Sequence, residues 1–544
     1  MLGPWMLGWV ACGGDDGKQA DDTPAPSDTG SPTDSEEPTD SETTDTEVPP
    51  TETGAPTDTG EPACPEDPAL SVVSAAVSDG LLPNQRAVTV TLSSPAAAAV
   101  RCVKVGDPAE LHLLESAVPA TEHTLHFSGL LPDSDYSCEA VATCPTSAGA
   151  GVVVPMTTAP GPGNLPTVEV TVDPALGMTG AWTLLPFRDG ACDFAGRTWL
   201  VAYDPEGVPR WWQQLPEGVF FDVEALYHAD VDSVVWGGGA HTDGRTNVWS
   251  LTTGTTYASG NLPQVARGVF HHDGKLLDDG RILTLQNDDN TGRGRAWTGW
   301  RVRAHDPATG AVSVDLQSQR YVDEGWLRVS TGVLDEDPYH ANWMDLIPHA
   351  TGERAYVSQC FDQSILSLDA ATGDVRWKLQ QDDGWTVVDP AGNELPQSML
   401  PECQHGIEVI GDDVLLVYDN GQNRRESQIT ELTVDAVNRR VTVEWQWTDG
   451  WFEDTLGDVD DLGNGRVLVT QAHPECWSPS RGARSRILEV DRATGQVASE
   501  VAFRSAQHTT YRSQRYEGCE FLPGTRFCAS VLTRAGELAP LFDR

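Results

Sequence analysis

Three histidines occupy one position in successive repeats of this chain. They are His272 in His271-His272-Asp273, His340 in Tyr339-His340-Ala341-Asn342, and His405 in Cys403-Gln404-His405-Gly406. Each precedes a stretch that reads as the inner β-strand of the same unit. If the units surround an axis, imidazoles from positions about 130 residues apart converge, which is what a chemical site requires. Two chemistries suit them. Three neutral imidazoles with an open position can hold a metal. Alternatively, one imidazole is a nucleophile in group transfer while the others donate hydrogen bonds to the transferring anion. A lone histidine is more often structural or exposed, and it is the shared register that sets these three apart. His112, His123, His126, His228, His241, His305, His349, His473 and His508 lack it and read as structural.

Two recurring phrases mark the elements that must position these side chains. The first is Asp-x-x-Thr-Gly, at Asp306-Pro307-Ala308-Thr309-Gly310, Asp369-Ala370-Ala371-Thr372-Gly373 and Asp491-Arg492-Ala493-Thr494-Gly495. Weaker copies are Asp204-Pro205-Glu206-Gly207, Leu251-Thr252-Thr253-Gly254 and the stretch 435–440, and Trp211, Trp377 and Trp445 follow three of the copies. The phrase predicts a hairpin turn between two outer strands, with Gly at the residue of positive φ. Six copies at intervals of roughly 45 to 65 residues predict six propeller blades.

The second phrase is an apolar anchor, a Gly/Asp turn and an apolar strand. It occurs at Leu277-Asp278-Asp279-Gly280, Ile410-Gly411-Asp412-Asp413 and Leu462-Gly463-Asn464-Gly465, with a last version at Phe521-Leu522-Pro523-Gly524. Five residues before these anchors stand His272, His405, Gly457 and Tyr516, and Leu346 leads back to His340 with one residue inserted. Three units thus offer an imidazole at one level, the next leaves space, and the last offers Tyr516 with Arg512 and Arg515 just ahead of it. Strand alternation predicts that Asp273 points away from His272. No sustained helical periodicity is evident.

The phrases around His272, His340 and His405, together with Tyr418-Asp419-Asn420-Gly421 and Thr510-Tyr511-Arg512, resemble the bacterial arylsulfate sulfotransferases from about residue 190 onward. That resemblance implies an all-β fold, a six-bladed propeller preceded by a β-sandwich. It implies transfer of a sulfuryl group from a phenolic sulfate ester to another phenol, without a nucleotide donor, a metal or another cofactor. It makes His405 the transiently sulfated nucleophile, gives the sulfuryl oxygens to His272 and His340, and sets Asn342 among the substrate-binding residues. The chemistry is coherent, because a loose sulfuryl transition state spreads charge over its equatorial oxygens and positioned donors carry the catalysis. A histidine of ordinary pKa can be a neutral nucleophile or a cationic donor near neutral pH. No phosphate-cradling Gly loop occurs.

One departure stands out. Where the family places an arginine after the His-x-Asn phrase, this chain has Ser358-Gln359-Cys360. Gln359 donates a hydrogen bond without charge, and losing a charged donor there costs on the order of 2–4 kcal/mol of transition-state stabilisation. Arg512 and Arg515 are the candidate replacements, and Tyr516 is a further candidate substrate contact. The ordinary reading of Arg512 is a salt bridge that closes the fold.

Composition bounds the rest. The 544 residues carry 81 acidic and 35 basic side chains, a formal charge of -46. This disfavours nucleic acid and anionic membrane as partners, since both need a positive footprint. Residues 1–12 resemble the tail of a lipoprotein signal with Cys12 as the lipidated residue, although no Lys or Arg precedes the apolar run and Trp9 stands where Leu is usual. Residues 13–65 form an acidic Thr/Pro/Asp-rich linker, expected to be disordered. Residues 66–162 read as a small fibronectin type III-like β-sandwich, with a tyrosine-corner phrase ending in Tyr136, and residues 163–544 as the propeller. Apart from Cys12, ten cysteines remain, as disulfides in an oxidising compartment require; Cys519 and Cys528 fit neighbouring strands of one hairpin. The expected location is the cell envelope, lipid-anchored at the periplasm or outer surface, with small phenols and aryl sulfates as partners. The rivals are a metal enzyme built on the three histidines and a non-catalytic surface binder. Asn287-Asp288-Asp289-Asn290 and Asp458-Val459-Asp460-Asp461 read as acidic loops, more often solvated turns than calcium sites. Trp297, Trp343 and Trp477 are aromatic enough to stack on a phenol, though core packing is the default for each.

Overall fold

Short apolar runs punctuated by Gly/Asp turns favour antiparallel strands, and the computed structural model of the chain is all-β and propeller-like. It describes residues 70–82, 84–144, 151–189, 197–215, 223–228, 233–238, 247–250, 256–258, 270–290, 297–306, 309–329, 337–472, 484–506 and 508–542. Cys12, the linker 13–65, His473 and Trp477 lie outside these residues, and the Trp297 side chain is likewise not described.

The first domain is one five-stranded antiparallel sheet. Its long strand Arg86–Lys104 pairs with Asp107–Phe127 along one edge; along the other it passes from Val72–Asp79 to Asp135–Ala142, with Val152–Thr157 beyond. Register breaks between Thr91 and Ala98 let it curl, so that Val72–Asp79 and Val152–Thr157 come together around a core of Val88, Val90, Val100, Phe127, Tyr136 and Met156. The strands expected of the sandwich thus form one hydrogen-bonded sheet curled until its ends meet. Cys102 and Cys138 are cross-strand neighbours joined by a disulfide. The Tyr136 hydroxyl accepts from the Leu131 N–H at 2.9 Å.

Six further sheets are present among the described residues, containing in chain order Trp182–Asp189, Val223–His228, Phe270–Leu276, Ala341–His349, Ile407–Gly411 and Asp458–Asp461. The ends of the array close on each other. Val168–Val172, which precedes the first of these sheets, pairs with Val497–Phe503 of the last. His508–Thr509 and Gln514–Tyr516, from the far end, pair with Trp182–Asp189 of the first. Terminal strands are thereby paired rather than left as open edges.

The Asp-x-x-Thr-Gly phrases join the third and fourth strands of their sheets. In three of them the aspartate oxygen accepts from the N–H of Thr309, Thr372 or Thr494, at 3.1, 3.0 and 2.9 Å. The glycines take positive φ, 73° at Gly310 and Gly373 and 70° at Gly495. An Asx turn built from local hydrogen bonds explains why the phrase recurs.

Several expectations need correction. Asn287–Asn290 and Asp458–Asp461 are strand residues rather than turns. Phe521-Leu522-Pro523-Gly524 is no inner hairpin. Closure has already used Gln514–Tyr516, and the following turn packs on the first domain, where the Gly524 carbonyl accepts from the Leu113 N–H. Cys519 and Cys528 are bridged, but across that turn rather than between strands. The helix Ala529–Phe542, not foreseen, buries Val531, Ala535, Leu538 and Phe542 against Ala99, Leu113 and Val141 of the first sheet. Trp343 is a core residue beside Tyr356 and Ile365. Among the described residues no helix is long and apolar enough to cross a membrane.

The first sheet and the repeats also share a buried ionic cluster. Arg210 donates to Asp204 at 2.6 Å and to Glu110 at 3.1 Å, and His112 meets Glu110 at 2.9 Å. Burial alone would raise the Glu110 pKa. The hydrogen bonds from His112 and Arg210 outweigh it and hold the carboxyl at about 2.

Candidate active site

His272 sits at a register break within the inner strand Phe270–Leu276 and His340 directly precedes the inner strand Ala341–His349 of the adjacent sheet, and both have left-handed backbones, φ 61° and 46°. For residues with a Cβ this is uncommon and costs on the order of 1 kcal/mol or more, and it persists where surroundings over-determine it. The register break at His272 interrupts strand alternation, so Asp273 does not point away as expected. Its Oδ2 accepts from the Met344 N–H of the next sheet at 3.0 Å, and its Oδ1 lies 3.4 Å from Arg512 Nη1.

The two imidazoles meet edge to edge, Nε2 to Nε2, at 3.1 Å. Such a contact needs one proton between two ring nitrogens. On its far side His340 Nδ1 lies 2.6 Å from Asp337 Oδ2, while Asp337 Oδ1 accepts from the His340 backbone N–H at 3.0 Å. Asp337 thus fixes both the ring and the strained backbone of His340. Phe361 stacks on the same ring, centroids 4.7 Å apart.

His405 is buried in the next sheet, 1% exposed. Its segment is sewn to the strand Val414–Asp419: the His405 N–H donates to the Tyr418 carbonyl, and the Tyr418 N–H to the Gly406 carbonyl. Gln404 anchors the other side, donating to the carbonyl of Ser364 at 2.9 Å and to Ser358 Oγ at 3.2 Å. The disulfide Cys360–Cys403 ties the same segment to the end of the strand Gly352–Gln359. His405 Nδ1 faces Asn420 Oδ1 at 2.8 Å and the Cys403 carbonyl at 3.2 Å, and Nε2 lies 3.4 Å from Thr455 Oγ1. Burial is the main force that lowers its pKa, to about 3, with His340 and Arg512 adding repulsion against hydrogen bonds that pull the other way. The ring is therefore neutral at ordinary pH.

Tyr511 stands between the two halves of the site, its ring centroid 6.1 Å from His272 and 6.3 Å from His405. Arg512, beside it, is 1% exposed; its Nη2 donates to the Asn342 carbonyl at 2.9 Å. Asn342 in turn donates from its amide to the Gln404 carbonyl at 2.8 Å. The closing segment thereby delivers the one sequence-predicted arginine whose charge is felt at His405.

The remaining candidates are placed elsewhere. Gln359 is fully buried, accepting from Trp300 Nε1 at 3.1 Å and donating to Ser364 Oγ at 3.2 Å, so its amide serves packing between strands. Arg515 alternates away from Arg512's surroundings and donates to Thr183 Oγ1 at 2.9 Å; burial lowers its pKa to about 10, against the pull of Glu489. Tyr516 is packed with Trp182, Phe521 and Leu522. The space expected at Gly457 is filled by the Tyr418 ring, which would collide with any Cβ there. His508 lies between Phe187 and Phe503. Sequence reasoning missed Asp337, Phe361, Asn420, Thr455 and Tyr511 as site residues, although Asn420 and Tyr511 sat inside phrases already singled out.

A three-histidine metal centre does not fit this geometry. Among the described residues, the group of three ligand types within 4.8 Å of one another is Cys360, Cys403 and His405, and its two sulfurs are joined to each other. The three imidazoles form no such group.

The chain is an all-β, propeller-like protein in which the His272 and His340 imidazoles of adjacent sheets meet, with Tyr511 between them and the buried His405. It belongs to the arylsulfotransferase (ASST) family, whose model matches residues 192–512, more than half of the sequence. No curated protein matches it significantly. Solved structures similar to it are distant. TolB from Acinetobacter baumannii shares 8% identity at a TM-score of 0.37, covering 70% of this chain and 80% of its own. The periplasmic gluconolactonase PpgL of Pseudomonas aeruginosa shares 13% at 0.32, covering 78% and 97%. Likenesses this weak bear on neither mechanism nor substrate.

Proposed function

We propose that the protein moves a sulfuryl group from a phenolic sulfate ester to a phenolic acceptor through a sulfo-histidine at His405, without a nucleotide donor. The observation that carries this reading is the setting of His405: a buried ring held at Nδ1 by uncharged acceptors, with the His340 ring and the Arg512 guanidinium near enough to repel a positive charge on it. A neutral imidazole is a nucleophile, and the neighbouring donors suit an anion whose charge grows on its oxygens.

In the first half-reaction the Nε2 lone pair forms a bond to sulfur as the sulfur–aryl oxygen bond breaks. The bonding pair leaves on the phenolate, which takes the proton between the His272 and His340 rings, so that the pair enters the step with one positive charge and leaves it as two neutral imidazoles. In the second, the acceptor phenol oxygen bonds to sulfur, the N–S pair returns to Nε2, and the phenol proton restores the imidazole pair. Arg512 supplies the positive charge that Gln359 does not. Each repeat sheet is read as one blade of a six-bladed propeller, and the first domain as a fibronectin type III-like module. The cell envelope, with a lipid anchor at Cys12 and the acidic linker as spacer, is the proposed location.

The test is phenol-dependent release of nitrophenol from p-nitrophenyl sulfate by purified, metal-stripped protein, beside His405→Ala. Release that is lost in the variant is expected. No release across several aryl sulfates and phenols would overturn the reading. It would favour a non-catalytic binder of the same fold, for which Gln359 in the arginine position is the motivating observation.

A further inference from the structure

The carbonyl of Cys403 and Oδ1 of Asn420 both face His405 Nδ1. A carbonyl only accepts, so Nδ1 must carry the ring proton. The Asn420 amide cannot be the other way round, because its Nδ2 donates to two further carbonyls, Glu453 at 3.1 Å and Leu456 at 2.9 Å. Asn420 itself is fully buried, and its carbonyl is held by Ser427 Oγ at 3.0 Å. The whole chain of acceptors is built from uncharged groups. Around the ring, the charged or titratable neighbours are His340 and Arg512, with Thr455 Oγ1 at Nε2 and the Tyr511 ring to one side.

We propose that Asn420 is a positioning residue for His405: it fixes the Nδ1–H tautomer, so that Nε2 alone meets the sulfur, and its lack of charge keeps the sulfated ring a good leaving group. The inference rests on the sulfotransfer reading above. Once Nε2 is sulfated, the ring is an N-sulfo-imidazolium whose Nδ1–H still donates to Asn420. A neutral acceptor orients that cation without quenching it. A carboxylate in its place would neutralise the ring charge, strengthen the N–S bond and slow transfer to the acceptor. In nucleophile–base pairs of other enzymes, a wrong histidine tautomer with intact geometry costs up to about 10⁴-fold in rate.

Two measurements test this. The first is ¹⁵N NMR of the full-length protein labelled at histidine, with His405→Gln to assign the signal. A proton on Nδ1 and a bare Nε2 are expected for His405 between pH 6 and 8, and a proton on Nε2 overturns the proposal. This readout needs no substrate, so it stands even if the protein transfers no sulfuryl group, a result that would sink the proposed function instead. The second is Asn420→Asp. An anion there raises the His405 pKa, so the acid limb of kcat/KM for p-nitrophenyl sulfate should move up by at least about one pH unit. Sulfo-enzyme should accumulate, so kcat falls more than kcat/KM. A pH profile superimposable on the parent's and merely scaled down would mean that Asn420 only holds the backbone, and would overturn the proposal. If Asn420→Asp fails to fold, the tautomer measurement on the parent protein decides alone.

Discussion

At Arg512 a buried guanidinium meets the Asp273 carboxylate and the Asn342 carbonyl, so each substitution strands a different group. Arg512→Gln leaves Asp273 without that cation, and Asp273→Asn leaves Arg512 without that anion. Removing one member of a buried pair costs roughly 3–5 kcal/mol, whereas removing both charges costs much less than the sum. Chemical denaturation of the two single variants and the double variant should therefore show strong non-additivity; additive losses would deny the pair its structural role. Sulfuryl transfer should separate the two functions of the arginine. It falls by about 10²-fold or more wherever Arg512 is lost, including the double variant, and less in Asp273→Asn. At this scale the sequence made the histidines legible because a repeat register marked them. It could not show that Gln359 spends both ends of its amide on Trp300 and Ser364, because those partners come from other strands. Asp337 and Thr455 carried no register at all, and only folding brings them to the rings.

Between strands, the Asp-x-x-Thr-Gly turn isolates two causes of a glycine requirement. Gly495 and Gly373 have φ of 70° and 73°, but the nearest neighbour of a Cβ at Gly495 is Trp447, 3.7 Å away, while one at Gly373 would collide with Arg320. Gly495→Ala should lose about 1 kcal/mol, the backbone strain alone. Gly373→Ala should lose more, because Arg320 must also give up its hydrogen bond to the Thr372 carbonyl. Equal losses in urea titrations would mean that the arginine moves freely. These turns were readable in the sequence because their hydrogen bonds are local, an aspartate capping its own loop. The C-terminal helix was missed even though Val531, Ala535, Leu538 and Phe542 follow helical spacing. Its few apolar positions were too short a signal beside a chain dominated by strand pattern, and Pro540 and Gly536 argue against a helix by propensity. The reversal at Asp273 was illegible for a different reason: it depends on a left-handed histidine, which strand alternation does not anticipate.

Over the whole molecule, net charge sets the terms on which an anionic donor arrives. A chain of formal charge -46 repels an aryl sulfate monoanion at long range, while the imidazoles and Arg512 attract it only once it is inside. Salt screens the first effect more than the second, because the Debye length shrinks from about 30 Å at 0.01 M to about 8 Å at 0.15 M and buried groups are screened least. The all-β character of the chain and the recurring turns of its repeats could be read in the sequence by phrase. The contact of Arg210 with Glu110, by contrast, joins residues a hundred positions apart and was invisible there; so was the pairing of Arg512 with Asp273, although Arg512 itself had been singled out. It is the closing segment that buries the Arg512 guanidinium against Asp273 in an acidic molecule. For p-nitrophenyl sulfate, kcat/KM should therefore rise several-fold as salt increases from about 10 to 150 mM, while the dependence on an uncharged phenol acceptor stays flat. A fall with salt would show instead that the donor is drawn in from a distance by a local positive field, and that the acidic surface lies too far from the entrance to matter.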